Sequence, residues 1–186
     1  MHKKKASGAF GMGDSATAKP ILQKKGGIDF NLKGYAECDI IRANGEKEHI
    51  DPHPNAITGN GFEWIGKFLY DATRPAGPGN FLGLSKNGTD VSSGDNPSIT
   101  DIGDGGLIRA VADEEEYDAD NTTMEVKKKF TNSSGADVTG IQTLTLYNEL
   151  SGGILVHVVV LGSAFTLSDG DAVEVTWKIV LSEPTG

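Results

Sequence analysis

Apolar and polar residues alternate along DAVEVTWKIVLS (171–182): Val173, Val175, Trp177, Ile179 and Leu181 fall on one face, Glu174, Thr176 and Lys178 on the other. A period of two is the pattern of a strand with one face buried and one wet. Burial of those five side chains contributes at most about 1.5–3 kcal/mol each, making this the best-specified strand of the chain. TMEVKKKFT (123–131) and GIQTLTLYN (140–148) alternate in the same way. GGILVHVVVLG (152–162) is instead a continuous apolar run, as in a strand covered on both faces, with His157 inside it. FLGLS (81–85) and LIRAV (107–111) are shorter strand-like runs, and YAECDIIRANGEKEHID (35–51) reads as two strands around Asn44-Gly45. That dipeptide favours a type I′ hairpin turn, in which both central residues need a positive φ. The two prolines of DPHPN (51–55) predict an end to regular structure, SDGD (168–171) a tight turn, and DEEEYDAD (113–120) a solvated acidic connection.

One stretch breaks the strand rhythm. In NAITGNGFEWIGKFLYD (55–71), Phe62, Ile65 and Leu69 share a helical face, with Trp64 and Phe68 beside it. Thr58 is placed to cap the N-terminus, and Arg74-Pro75 to end the helix within three to four turns. After FLGLS comes a long polar loop, KNGTDVSSGDNPSITDIGDGG (86–106), of the kind that forms binding surfaces or interfaces. About eight strands and one short helix predict a mainly-β protein, a β-sandwich of jelly-roll type. The 25 glycines and a hydrophobic share of 37% suit a loop-rich β-domain better than a helical bundle.

Charge divides the chain in two. Residues 1–27 hold Lys3, Lys4, Lys5, Lys19, Lys24 and Lys25 against Asp14 alone, a net of +5; the total of −9 leaves −14 on residues 28–186. So acidic a body repels phosphate, which argues against nucleic-acid binding. The first segment reads as a basic Gly/Lys-rich arm (1–27), extended and too poor in apolar residues to fold alone, ahead of a sandwich domain at 28–186. Its start lacks the apolar stretch of a secretory signal, and no apolar run reaches the roughly 18 residues of a membrane helix. A single cysteine, Cys38, rules out an internal disulfide framework and points to a reducing compartment of synthesis.

Candidate chemistry is thin. Asn87, Asn121 and Asn132 begin sequon matches that read as polar loops. His49 and His53 are four apart, but nearby prolines preclude the helix that would align them on a metal. Asp95, Asn96, Asp101 and Asp104 offer oxygen ligands on a Gly-rich loop, yet turn formation accounts for the same residues and the spacing is not that of an EF-hand. His157 reads as a core or interface histidine. No nucleophile elbow, Cys-His signature or nucleotide-binding loop occurs, so neither catalysis, a cofactor nor a metal is expected.

The order of these pieces resembles small virion structural proteins of tailed bacteriophages, over residues 50–182. Asn55, Ile57, Thr58 and Gly61 open the helix; FLGLS follows, then a polar loop closing on Leu107 and Arg109; Ile141, Leu146 and Tyr147 lie on a later strand and Trp177 on the last. The chain departs from that group at Ile108 and Gln142, where an acid is expected. The resemblance implies a non-enzymatic virion protein of head or tail. The short chain, without repeats or an extended fibre section, favours a decoration or cement protein that binds adjacent subunits of the major capsid protein as a homo-oligomer, trimers being common among decoration proteins resembling it. Lys3, Lys4, Lys5, Lys24 and Lys25 would then meet acidic patches on neighbours, with Phe10, Ile21 and Leu22 as apolar anchors. The helix would plug one end of the sandwich, or turn Trp64 and Phe68 towards a neighbour. Two alternatives stand beside this: a tail, baseplate or fibre-attachment component, and a carbohydrate- or calcium-binding sandwich module.

Overall fold

The computed structural model describes residues 31–70, 77, 79–118 and 122–182, with no side-chain placement at 31, 68–70, 181 and 182. The arm, and with it Lys3, Lys4, Lys5, Phe10, Ile21, Leu22, Lys24 and Lys25, lies outside the described residues, as do Arg74-Pro75 and Asn121.

Ten strands and one helix follow in the order β1 (Asn31–Ile41), β2 (Lys47–Pro54), β3 (Ala56–Ile57), α1 (Gly59–Tyr70), β4 (Phe81–Ser85), β5 (Ala110–Val111), β6 (Glu114–Asp118), β7 (Thr123–Thr131), β8 (Val138–Tyr147), β9 (Leu155–Leu167) and β10 (Ala172–Ser182) among the described residues. They form two antiparallel five-stranded sheets, β2-β1-β10-β7-β6 and β3-β9-β8-β4-β5, packed as a β-sandwich. The first and last strands are central neighbours, in register from Asn31 opposite Ser182 to Ile41 opposite Ala172.

Alternation builds the core as the sequence pattern predicts. Ala36, Cys38, Ile40, Val126, Phe130, Val173, Val175 and Trp177 of the first sheet bury against Leu82, Leu84, Ile141, Leu144, Leu146, Val159 and Leu161 of the second. Ile179 is only partly buried at the rim, and the Leu181 side chain lies outside the described residues. The other face of the first sheet is wet and laced with ion pairs. Lys178 reaches Glu37 (3.3 Å) and Glu125 (3.4 Å), and Lys127 reaches Glu125 (2.8 Å) and Glu114 (3.9 Å). Burial alone would raise the Glu125 carboxyl, but these two lysines outweigh it and hold the group below its ordinary value.

Several local expectations are corrected. The hairpin at Asn44-Gly45 forms, but on Arg42–Gly45: the Gly45 N–H donates to the Arg42 carbonyl at 2.8 Å, and only Gly45 takes a positive φ, 89°. This is a type I turn closed by a left-handed glycine. DPHPN does not end the strand, because β2 continues to Pro54. It is an edge strand, and the register shift opposite Ala36–Cys38 accommodates Pro52, where a missing N–H costs no ladder bond. DEEEYDAD is not a connection: Glu114–Asp118 form edge strand β6. LIRAV keeps only Ala110–Val111 as strand, since Leu107 turns into the core and Arg109 towards Asp101.

Candidate functional site

The long loop and the helix meet on the second sheet. Thr58 caps the helix as expected: its Oγ1 accepts the Gly61 N–H at 2.9 Å and donates to the Leu155 carbonyl. The loop supplies the other partners that a helix N-terminus needs. The Gly59 N–H donates to the Asp95 carbonyl (2.9 Å) and the Asn60 N–H to Asn96 Oδ1 (2.7 Å). The helix lies against the start of β9, where a Cβ on Gly61 would stand 2.3 Å from the Val156 carbonyl oxygen. Its inward side centres on Gly61 and Trp64, with Phe62 and Ile65 half-buried. Trp64 is 9% exposed and packs beside Gly79; the Phe68 side chain is not among the described ones.

Farther along, the loop is latched by a nearly buried ion pair. Asp101 Oδ2 accepts from Arg109 Nε at 2.7 Å and lies 2.6 Å from Nη2, while Oδ1 accepts from Thr145 Oγ1 at 3.0 Å. Arg109 Nη1 also donates to the Gly152 carbonyl (2.8 Å), and the guanidinium lies 3.2 Å above the centre of the Tyr147 ring. Burial, with Asp101 nearby, pushes the Tyr147 phenol up to about 12, against the opposing charge of Arg109. Gly83 makes room for this knot, since a Cβ there would come within 2.6 Å of Thr145 Oγ1.

Beside the latch runs an open groove of about 710 Å³, bordered by Ser85, Asn87, Thr100, Asp101 and Asp104. Its size is in the range of ligand pockets, but its polar groups are largely committed. Ser85 Oγ donates to the Thr100 carbonyl (2.6 Å) and accepts the Asn87 N–H (3.2 Å); Asp101 is spent on Arg109 and Thr145. Asp95 and Asn96, read above as possible oxygen ligands, hold the loop to itself and to the helix. Among the described residues no group of three or more His, Cys, Asp or Glu is placed to hold a metal ion. His49 instead meets Asp39 (2.7 Å), which raises its imidazole, and His53 Nε2 accepts the Gly162 N–H (3.1 Å).

The remaining candidates are structural in position. Cys38 is buried, and desolvation with Asp39, Glu37 and Glu48 nearby pushes its thiol up to about 12. Asn132 is fully buried, donating to the Ala136 and Leu167 carbonyls (2.8 and 2.9 Å), so it presents no amide for a glycan. His157 is fully buried, and its Nδ1 accepts from Asn55 Nδ2 at 2.6 Å while its ring meets Trp177 edge-on.

Sequence reasoning missed two features. Ile102, an apolar residue inside the polar loop, is a core residue that pins the loop; its apolarity was the only signal. Lys128 falls on the inward side of β7 beside Val126 and Phe130, and is matched by Asp113 at 2.5 Å. Compared with protein-family models, with curated proteins and with solved structures, the chain matches none.

Proposed function

We propose that this chain is a non-enzymatic structural protein of a bacteriophage virion, a decoration protein that stabilises the head by bridging adjacent subunits of the major capsid protein. The observation that carries this reading is how the polar groups are allotted. Ser85, Asn96 and Asp101 of the groove and loop are committed to fixing the loop to the sheet and helix, whereas Glu114–Tyr117 of the acidic strand β6 stand exposed. Such a molecule is furnished for contact rather than for turnover. The lysine-rich segment 1–27 supplies the opposite charge, +5 against −14 on the rest.

The mechanism is mass action. A protein that binds the assembled lattice and not its separated subunits stabilises the lattice in proportion to RT ln(1 + [L]/Kd), about 2.7 kcal/mol at a hundredfold excess over Kd. The rigid sandwich sets the spacing between the subunits bridged, and the basic segment adds electrostatic attachment that weakens with salt.

The test is quantitative mass spectrometry of purified particles with heads and tails separated. Hundreds of copies in heads are the expected result. A few copies confined to tails would replace decoration by a tail component, and absence from both would end the virion reading.

A further inference from the structure

β6 is the outermost strand of the first sheet. It pairs with β7 on one side, and among the described residues no strand pairs with the other. Residues 113–117 are all exposed, Tyr117 by 63%. An uncovered edge presents backbone N–H and C=O groups as a template for a further strand. The pleat places Glu114 and Glu116 on the outer face and Glu115 and Tyr117 on the inner side, so acids flank the edge on both faces. A second β6 laid against it would set glutamate against glutamate, which closes the edge to its own kind.

Glu116 carries the argument further. Its partner across the ladder is Glu125, a like charge already served by Lys127 and Lys178, and Glu116 itself makes no ion pair among the described residues. Glu114 has Lys127 only at 3.9 Å, while Glu115 accepts from Asn80 Nδ2. The edge therefore favours a strand that brings cations to both faces. The chain contains one, Lys3-Lys4-Lys5, within the residues outside the described structure. In an antiparallel extended arrangement, Lys3 and Lys5 fall on the face of Glu116 and Glu114, and Lys4 on that of Glu115.

We propose that the β6 edge is the docking site for the lysine run 3–5 of a second copy of this chain, which adds a strand to the first sheet by charge-matched edge pairing. The choice of a second copy rests on the proposed function, in which copies stand side by side on a lattice. A contact of this head-to-tail kind generates a ring when its rotation closes.

Purified full-length protein, mixed as equal ¹⁵N-labelled and unlabelled portions, tests this apart from any particle. A zero-length carbodiimide joins a lysine amine to a carboxylate only where the two touch, and mass spectrometry then reads the joined peptides. Lys3–Lys5 joined to Glu114–Glu116 in mixed-isotope pairs is the expected result. Same-isotope pairs alone would assign the contact to one chain and overturn the second copy; no joined peptides would overturn the site. As an independent check, Glu114→Lys with Glu116→Lys, both exposed, should weaken self-association at least about tenfold. Adding Lys3→Glu and Lys5→Glu should restore it. Unchanged association in the first variant would also overturn the proposal. Because no capsid is present, failure here leaves the virion assignment standing, and the two failures are told apart.

Discussion

At His157 one side chain couples the two sheets to acidity. Burial pushes its imidazole down to about 4, and the Asn55 amide donating to Nδ1 favours the same neutral form. The unfolded chain, with a histidine near the usual value of about 6.5, binds the proton first as pH falls. Stability is therefore full above about pH 6.5 and is lost progressively towards about pH 4, by on the order of 3 kcal/mol. Urea unfolding at pH 4.5 and pH 7 checks this: His157→Leu, which cannot titrate, should show a clearly smaller loss than the parent. An equal loss would assign the acid limit to other groups. The Asp101–Arg109 latch makes a second prediction, since its side chains are only 10% and 16% exposed. Asp101→Ala strands a nearly buried guanidinium and should cost about 3 kcal/mol. Limited proteolysis should then cut within residues 86–104 faster than in the parent. Of these residues, the sequence marked His157 as interior because it interrupts an apolar run. The Asp101–Arg109 pairing was not legible, because charge partners across a fold leave no periodic trace. The positions that carry the phage resemblance, among them Thr58, Gly61, Leu107, Arg109 and Trp177, prove to be packing, capping and latching residues.

For whole elements, period was readable and edges were not. The long alternating runs became β7, β8 and β10 close to their expected bounds, and the helical period became α1. The acidic run 114–118 has no apolar face to betray it; it is a strand because β7 offers a ladder, while its charges suit an uncovered edge. Pro52 and Pro54 misled for the related reason that a proline forbidden in a central strand is admitted at the margin of a sheet. The two glycines of α1 make opposite predictions. Gly66→Ala meets nothing within 4 Å and should stabilise by about 0.5–1 kcal/mol through helix propensity. Gly61→Ala brings a Cβ to 2.3 Å from the Val156 carbonyl oxygen and should destabilise by about 1–3 kcal/mol despite the same propensity gain. Thermal unfolding of the pair gives both signs in one experiment. If both variants gain stability, the helix does not seat against β9. Thr58→Ala removes the cap and should cost about 1 kcal/mol.

Across the molecule, the separation of +5 from −14 was the plainest message of the sequence, and the β-sandwich followed from counting alternating runs. What counting could not supply was the pairing order, because nothing local to β1 and β10 announces that they are neighbours. That neighbourhood has a practical consequence. With Asn31 opposite Ser182, the chain enters and leaves the first sheet at the same end, while the turns at 42–46 and 168–171 lie together at the other. The first sheet thus has one pole where residues 31 and 182 meet and an opposite pole built of turns. A peptide tag inserted between Asn44 and Gly45, both exposed, should be presented at the pole opposite Asn31 and Ser182, where an antibody against it should reach the folded protein. The same tag joined directly after Ser182 would leave from the opposite pole, beside Asn31. As a carrier for displayed cargo, the molecule is asymmetric, and the hairpin rather than the terminus is the place to load it.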